Sequence, residues 1–386
     1  MRIGVITYWE SNDNYGQQLQ CWALQCFLRE KGHDAFLIRQ YVWPPSKKKG
    51  LRRLKRWIKD KLATILYSTN LAYNYNISRL FAFCLDREAC RRQFPRFRRQ
   101  NMKMSKIYTY PETLTANPPA ADIYITGSDQ VWNYDMPESS LKNYFLQFGD
   151  KDVKRIAYAA SIGHKDFPSE IQESIKSYLQ LFSAISTRES SAVKAINMMG
   201  FDAKHVVDPT MLLKPEEYLL LANKESIREC VYIYSMNYEK KEDIPFCQIQ
   251  QYAKEHELPI IVTTGSGYLP AKELFEDVEY SYATISQWIR HIADARMVIT
   301  ASFHGIVFSL LFHRNFIYTP LQGALSGGNN RILDLLNVLG LDEQVLKHNK
   351  AISDYEISIE KWQIVDKLLD KYITSSVNYL LNAINE

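Results

Sequence analysis

Arg296–Thr319, RMVITASFHGIVFSLLFHRNFIYT, decides how the chain is read. Arg296 to Thr300 has the apolar content of a short buried strand, and Ser302-Phe303-His304-Gly305 reads as a turn. Ile306 to Phe312 is apolar over about two helical turns, and Asn315 to Thr319 returns as a second strand. The stretch predicts a compressed strand–helix–strand unit. In such units ligands bind at the carboxyl ends of the strands, in front of the helix N-terminus. His304 falls there. Unpaired backbone N–H groups and the helix dipole favour an anion at such a place. Taken alone, His304 reads equally well as a core or capping histidine.

Outward from this unit the alternation repeats. Arg2 to Trp9 is a strand, ESNDNYG (Glu10 to Gly16) a polar loop, and Gln17 to Lys31 an amphipathic helix with Leu24, Phe27 and Leu28 inward. Gly32 stops that helix, and Ala35 to Gln40 is the next strand. After residue 110 come strands at Asp122 to Thr126, Arg155 to Ala160, Ala184 to Thr187 and His205 to Val207. Helices are expected at Pro168 to Phe182 and Lys214 to Lys224, the latter crossing to a second domain. That domain is expected to hold strands at Val231 to Ser235 and Ile260 to Thr264, helices around Ile249 to His256 and Ser286 to Asp294, and then the opening stretch. Small-residue loops are expected at Thr264-Gly265-Ser266-Gly267 and at Ser326 to Asn330. Arg331 heads a helix, ILDLLNVLG, that Gly340 stops, and Ile357 to Ile384 is a helical tail.

The expected organisation is α/β, with two Rossmann-like domains facing across a cleft. The boundaries are 1–225, 226–350 and a tail over 351–386, with a basic helical insertion over about 44–110. That insertion contains KKKGLRRLKRWIKDKL, apolar on one face and strongly positive on the other. Such a helix suits either an anionic membrane surface or ordinary packing with a solvated basic face.

Composition narrows the function. A net charge of +4 over 386 residues is slight, and no nucleic-acid-binding motif accompanies the basic run. The six cysteines form no CxxC pair and sit near no histidine at zinc spacing, so no metal site is expected, and Cys21 and Cys26 are expected as buried thiols. No window supplies about twenty uncharged apolar residues. With a first strand that enters the fold directly, the expectation is a cytoplasmic protein. The first strand–helix turn lacks GxGxxG and there is no P-loop, which argues against a dinucleotide cofactor.

Seven stretches then follow one another: NYGQQLQCWAL, DIYITGSDQVWN, YAASIG, STRESSAV, VVDPTMLL, ASFHGIVFSLLF and NNRILDLLNVLGL. In that order they resemble the polysaccharide pyruvyl transferase family, over most of the chain except the basic insertion and the tail. The resemblance implies a GT-B-like pair of Rossmann domains. It also implies transfer of pyruvate from phosphoenolpyruvate, with no cofactor, to a sugar of a cell-surface glycan as a cyclic ketal. In the family a histidine and arginines hold the donor. By motif these are His304 in SFHG, with Ser302 and Gly305 beside it, and Arg188 in STRES. Some members carry arginine two positions before the histidine; here that position is Ser302, and Arg331 is the candidate to supply the charge.

The chemistry fits these residue types. The donor's carboxylate and phosphate suit planar guanidinium clamps. Arg188 reads as such a clamp or as an ordinary ion-paired arginine. His304 suits the phosphate, or proton transfer to it or to C3. Asp13 and Asp129, each in a polar loop after a strand, are candidates to accept the acceptor hydroxyl's proton, although aspartates in such loops more often cap helices or make turns. Asp208 reads as fixing the turn before Pro209. Trp132 and Tyr15 read as core packing or as sugar-stacking faces. A lipid-linked acceptor would give the basic insertion a use at the inner membrane face. The alternatives are a nucleotide-sugar glycosyltransferase on the same scaffold and a non-catalytic glycan- or membrane-associated protein.

Overall fold

The computed structural model describes residues 1–44, 92–222, 228–236, 238, 240–265, 274–321, 328–347 and 349–386. The basic run Lys47 to Leu62, Cys84, Cys90, Ser266-Gly267 and Ser326-Gly327 lie outside the described residues.

Two parallel sheets carry the chain. The first contains β1 (Arg2–Ile6), β2 (Asp34–Gln40), β3 (Met104–Tyr108), β4 (Ile123–Thr126), β5 (Lys154–Ala160), β6 (Ala184–Thr187) and β7 (Ala203–His205), in the order β3-β2-β1-β4-β5-β6-β7. The second contains β8 (Cys230–Ser235), β9 (Ile260–Thr264), β10 (Glu279–Tyr280), β11 (Ala295–Thr300) and β12 (Asn315–Tyr318), in the order β10-β9-β8-β11-β12. Central strands such as β4, IYIT, are buried throughout, as parallel strands covered on both faces must be. Strand order reverses between β1 and β4 and between β8 and β11, so each sheet has a crevice at those carboxyl ends. The expected pair of Rossmann-like domains is the observed architecture.

Two features depart from the sequence reading. Helix α1 (Tyr15–Glu30) is not simply amphipathic. Gln17, Gln18, Gln20 and Gln25 are buried along with Leu24, Phe27 and Leu28, because the helix is wedged between the lobes. Its glutamines are satisfied internally: Gln18 Nε2 donates to Trp9 O and Gln20 Nε2 to Thr7 Oγ1. The second feature lies within the stretch read as a basic insertion. From Arg92 onward the described chain forms helix α2 (Phe94–Asn101) and then β3, an edge strand of the first sheet. MSKIY has no long apolar run, as suits an edge strand.

The remaining helices of the first lobe are α3 (Pro111–Ala116), α4 (Glu138–Tyr144), α5 (Ser169–Leu179), α6 (Ser190–Met198) and α7 (Pro215–Leu221). Those that follow are α8 (Phe246–Glu255), α9 (Ile285–Ala293), α10 (Phe303–Leu311), α11 (Asn330–Leu339) and α12 (Ile359–Asn385). Helix α12 returns to the first lobe. Lys154 Nζ donates to the carbonyls of Ala383 and Ile384, and Ser376 Oγ accepts from Val207 N. Cys21 is buried, Cys26 half-buried, and both are free. No helix among the described residues is long and apolar enough to cross a membrane.

Candidate active site

The expected turn at Ser302 to Gly305 is the N-cap and first turn of α10. Ser302 is the cap, its Oγ accepting from Gly305 N at 3.3 Å. Thr300, last in β11, accepts from Ser302 N and donates to Tyr234 O, each at 3.0 Å. A Cβ on Gly305 would lie 2.8 Å from Thr300 Cγ2, so glycine lets the helix sit down on its own strand. His304 is thereby aimed across the lobes at α1, where a Cβ on Gly16 would come within 2.0 Å of its Nδ1. Two helix N-termini meet at one imidazole because both neighbouring positions lack a side chain.

Asp208 lies on the other side of that imidazole. It caps the 3-10 turn Pro209–Met211 and is buried. Oδ1 accepts from Thr210 N at 3.0 Å and Thr210 Oγ1 at 2.7 Å, and lies 3.5 Å from His304 Nε2. Oδ2 accepts from Ser128 Oγ at 2.9 Å and Arg188 Nη1 at 2.9 Å. Burial pushes the carboxyl up, but His304, Arg188 and the Thr210 amide outweigh it and hold it well below the usual carboxylate range. One carboxylate thus orients the arginine of the first lobe and the histidine of the second.

Arg188, at the end of β6, is buried. Asp129 Oδ1 and Glu189 Oε1 each lie 3.8 Å from its guanidinium. Neither is within hydrogen-bond reach, and Nε and Nη2 have no hydrogen-bond partner among the described residues. The guanidinium lies 4.8 Å from the centre of the Phe303 ring, and Arg331, at the start of α11, lies 5.7 Å from the same ring. Burial and the charge of Arg188 pull the Arg331 guanidinium below its ordinary pKa, and its Nε also lacks a partner among the described residues. His304 Nε2 is buried without a hydrogen bond. Arg188 and Arg331, both beside Phe303, thus bury N–H groups that donate to nothing among the described residues, which is costly unless an acceptor arrives. The carboxylates there nonetheless outnumber the guanidiniums, three to two. Arg188 and Arg331 face Asp129, Glu189 and Asp208, so an anion needs a proton on His304 or on a carboxylate to be held. A hollow lined by Arg188, Asp208, Phe303, Arg331 and Tyr372 among others has about 10 Å³ free, roughly one water's worth.

The structure brings together Arg188, His304, Ser302, Gly305 and Arg331, with Asp129 beside Arg188. Asp13 turns back on its own loop, accepting from Ser11 Oγ at 2.8 Å. Asp208, Phe303 and Glu189 went unrecognised as site residues. Their signals in the sequence, an Asp-Pro turn, a turn aromatic and a helix-opening glutamate, fit ordinary structure equally well. Trp132 and Tyr15 are core packing: Trp132 stacks on Phe145 at 4.8 Å and Tyr15 on Trp288 at 5.3 Å. No cluster of metal-ligating side chains occurs among the described residues.

The family model for polysaccharide pyruvyl transferase matches residues 14–320. No curated protein matches the chain. Among solved structures, a protein of Listeria monocytogenes assigned as a UDP-N-acetylglucosamine 2-epimerase aligns at TM-score 0.51 and 8% identity, covering 100% of this chain and 95% of that one. A UDP-GlcNAc 2-epimerase from Neisseria meningitidis, bound to UDP-GlcNAc, aligns at TM-score 0.49 and 8% identity over 100% and 99% of the two chains. An alpha-glucosyltransferase in complex with UDP and DNA aligns at TM-score 0.49 and 7% identity over the full length of both. At such identity the likeness is one of fold, the two-lobed GT-B type.

Proposed function

Since the chain belongs to the polysaccharide pyruvyl transferase family, we propose that it moves pyruvate from phosphoenolpyruvate to two hydroxyls of one sugar, forming a ketal on a cell-surface glycan or its precursor. The observation that carries the donor assignment is the convergence of Arg188 and Arg331 on Phe303 with unpaired N–H groups, next to the unpaired Nε2 of His304. Planar guanidinium donors match a carboxylate and a phosphate on one small molecule. With about 10 Å³ free, the donor displaces the half-buried Arg331 side chain as it binds, and its phosphate then takes the donors that lack a partner.

The reaction adds two hydroxyls across the enol phosphate. A proton goes to C3, leaving C2 electrophilic. The first hydroxyl oxygen bonds to C2 and loses its proton. The bond from C2 to the phosphate oxygen breaks, its electron pair leaving on phosphate, and the second hydroxyl closes the ring. Of the two hydroxyl protons, one balances the new hydrogen on C3 and one ends on inorganic phosphate. His304 passes a proton to the departing phosphate, and the Asp208 carboxylate, 3.5 Å from its Nε2, favours the imidazolium that does so.

Phosphate release from phosphoenolpyruvate, measured with 4-nitrophenyl glycosides as acceptors and mass spectrometry of the product, tests this. A pyruvate ketal on the glycoside is the expected result. Thermal stabilisation by UDP- or GDP-sugars but not by phosphoenolpyruvate would replace the reading with nucleotide-sugar transfer. Should the acceptor be lipid-linked, the basic run Lys47 to Leu62 suits anionic headgroups around it. Its deletion should then reduce flotation with anionic liposomes.

A further inference from the structure

A second opening lies at the crevice of the first sheet, where strand order reverses between β1 and β4. It is an open cleft of about 350 Å³, lined among others by Tyr8, Glu10, Asn14, Trp43, Gln130 and Asn133. That volume is within the usual range for small-molecule sites. The hollow at Arg188, with about 10 Å³, holds no sugar.

Glu10 sets this cleft apart. Its Oε2 is shut off from water and has no hydrogen-bond partner among the described residues. Burial pushes the carboxyl up to about 7, against smaller opposing effects of the Val42 backbone and Arg98. The loop that carries it is clamped. Arg98 of α2 donates to the carbonyls of Trp9 and Ser11 at 3.3 and 2.7 Å, and to Gln18 Oε1 and Asn12 Oδ1 at 3.0 Å each. An arginine is thus spent on fixing a loop whose one carboxylate oxygen is left without a partner. Trp43, 61% exposed, offers an indole face at the rim, and the side-chain amides of Gln130 and Asn133 add polar groups.

The cleft and the arginine cluster share two loops. Gln130 follows Asp129, which lies 3.8 Å from Arg188. Asn14, which caps α1, stands two residues before Gly16, against which His304 packs.

We infer that this cleft takes the sugar acceptor and that Glu10 removes the proton of the attacking hydroxyl. The inference rests on the pyruvyl-transfer reading and supplies its acceptor half. As the Glu10 carboxylate takes the proton, the hydroxyl oxygen's lone pair bonds to C2 of the donor, already protonated at C3. Phosphate then departs with the pair from the broken C–O bond. The second hydroxyl repeats the attack and its proton goes to the released phosphate, while the proton on Glu10 returns to solvent and replaces the one that C3 took up. Asp129 faces an arginine and Asp13 a serine, whereas Glu10 lines the cleft itself and its carboxyl is pushed up by burial, which makes it a stronger base.

The test compares wild type, Glu10→Gln and Trp43→Ala between pH 5 and 9. Phosphate release is measured with phosphoenolpyruvate and 4-nitrophenyl glycosides. Glycoside binding is followed separately by saturation-transfer NMR without donor. In wild type, kcat/KM for the acceptor should rise with pH through about 7. Glu10→Gln should lose that limb and run about 100-fold or more slower at pH 8, with thermal stabilisation by phosphoenolpyruvate unchanged. Trp43→Ala should raise the acceptor KM about tenfold with kcat nearly kept. Glu10→Gln with wild-type rate and pH profile overturns the base assignment. Glycoside binding that is absent, or indifferent to Trp43→Ala, overturns the cleft. If wild type never releases phosphate yet binds glycosides in a Trp43-dependent way, the donor reading fails and the cleft stands.

Discussion

Replacing Asp208 by alanine removes the carboxylate that joins the two lobes at the site, and the cost can be worked from its contacts. Asp208 is buried and accepts four hydrogen bonds: two from Thr210, one from Ser128 and one from Arg188, besides lying 3.5 Å from His304. Its loss takes from the buried Arg188 guanidinium its one hydrogen-bonded carboxylate, with Asp129 and Glu189 left at 3.8 Å, so the cost should fall near the low end, about 3 kcal/mol, for breaking a buried pair. Arg188→Met strands the carboxylate instead and should cost about 3 kcal/mol. The double variant strands neither charge, so its cost should fall short of the sum by about 2–3 kcal/mol. Urea denaturation with linear extrapolation measures all three. The sign with pH also follows. The folded carboxyl is held below its unfolded value near 3.9, so its contribution is fully present above about pH 4 and is lost as pH falls further. The stability gap between wild type and Asp208→Asn should stay constant from pH 8 to about 5 and shrink below about 4. An Asp208→Ala protein within about 1 kcal/mol of wild type, or additive single costs, would refute the buried-bridge account.

Three further outcomes are expected. Gly16→Ala drives a methyl into His304, so it should cost about 1–3 kcal/mol by overpacking and cut kcat more than the fold loss explains, as thermal melts and steady-state kinetics would show. Arg331→Met removes a charge that burial and Arg188 disfavour, so the melting temperature should hold or rise while the donor KM rises about 10-fold or more. Glu10→Gln should stabilise the protein at pH 8 but not at pH 4. A folded carboxyl raised from 4.5 to about 7 disfavours the folded state as pH rises across that interval, by about 3 kcal/mol at most and less where solvent screens it. An equal gain at both pH values, in denaturation curves, would contradict the burial of Glu10.

The strand–helix–strand unit at β11, α10 and β12 was readable from its sequence because a buried parallel strand and a fully buried helix are both continuous apolar runs, separated by one polar cap. Only the helix start was misplaced. Ser302 looks like a turn residue and acts as an N-cap, two functions the same side chain serves. Helix α1 was readable as a helix but not as a seam, since glutamines buried between lobes look like solvent-facing ones until their partners are known. Strand β3 was missed because an edge strand needs little apolar content. The site divides the same way. Arg188 and His304 stand out by motif. Asp208 gains its importance only when residues 128, 188 and 304 fold onto it, and Glu10 only when its surroundings bury Oε2 without a donor for it.

How the lobes are joined decides how a donor can reach the site. Tyr15 of α1 lies flat against Trp288 of α9, 7° from parallel, and its hydroxyl donates to Ala283 O at 2.6 Å. Arg92 donates to Thr264 O at 2.6 Å, and Asp334 of α11 accepts from both N and Oγ of Ser190 at the head of α6. With the Asp208–His304 contact, these tie the first lobe to the second at buried or half-buried positions around the arginine cluster. A hinge wide enough to admit a three-carbon dianion would have to break several of them at once, each costing about 1 kcal/mol or more. Moving a single side chain costs less. Arg331, unpartnered at Nε and repelled by Arg188, is the group with least to lose, so on the proposed pyruvyl-transfer reading the donor is expected to enter through its swing rather than through separation of the lobes.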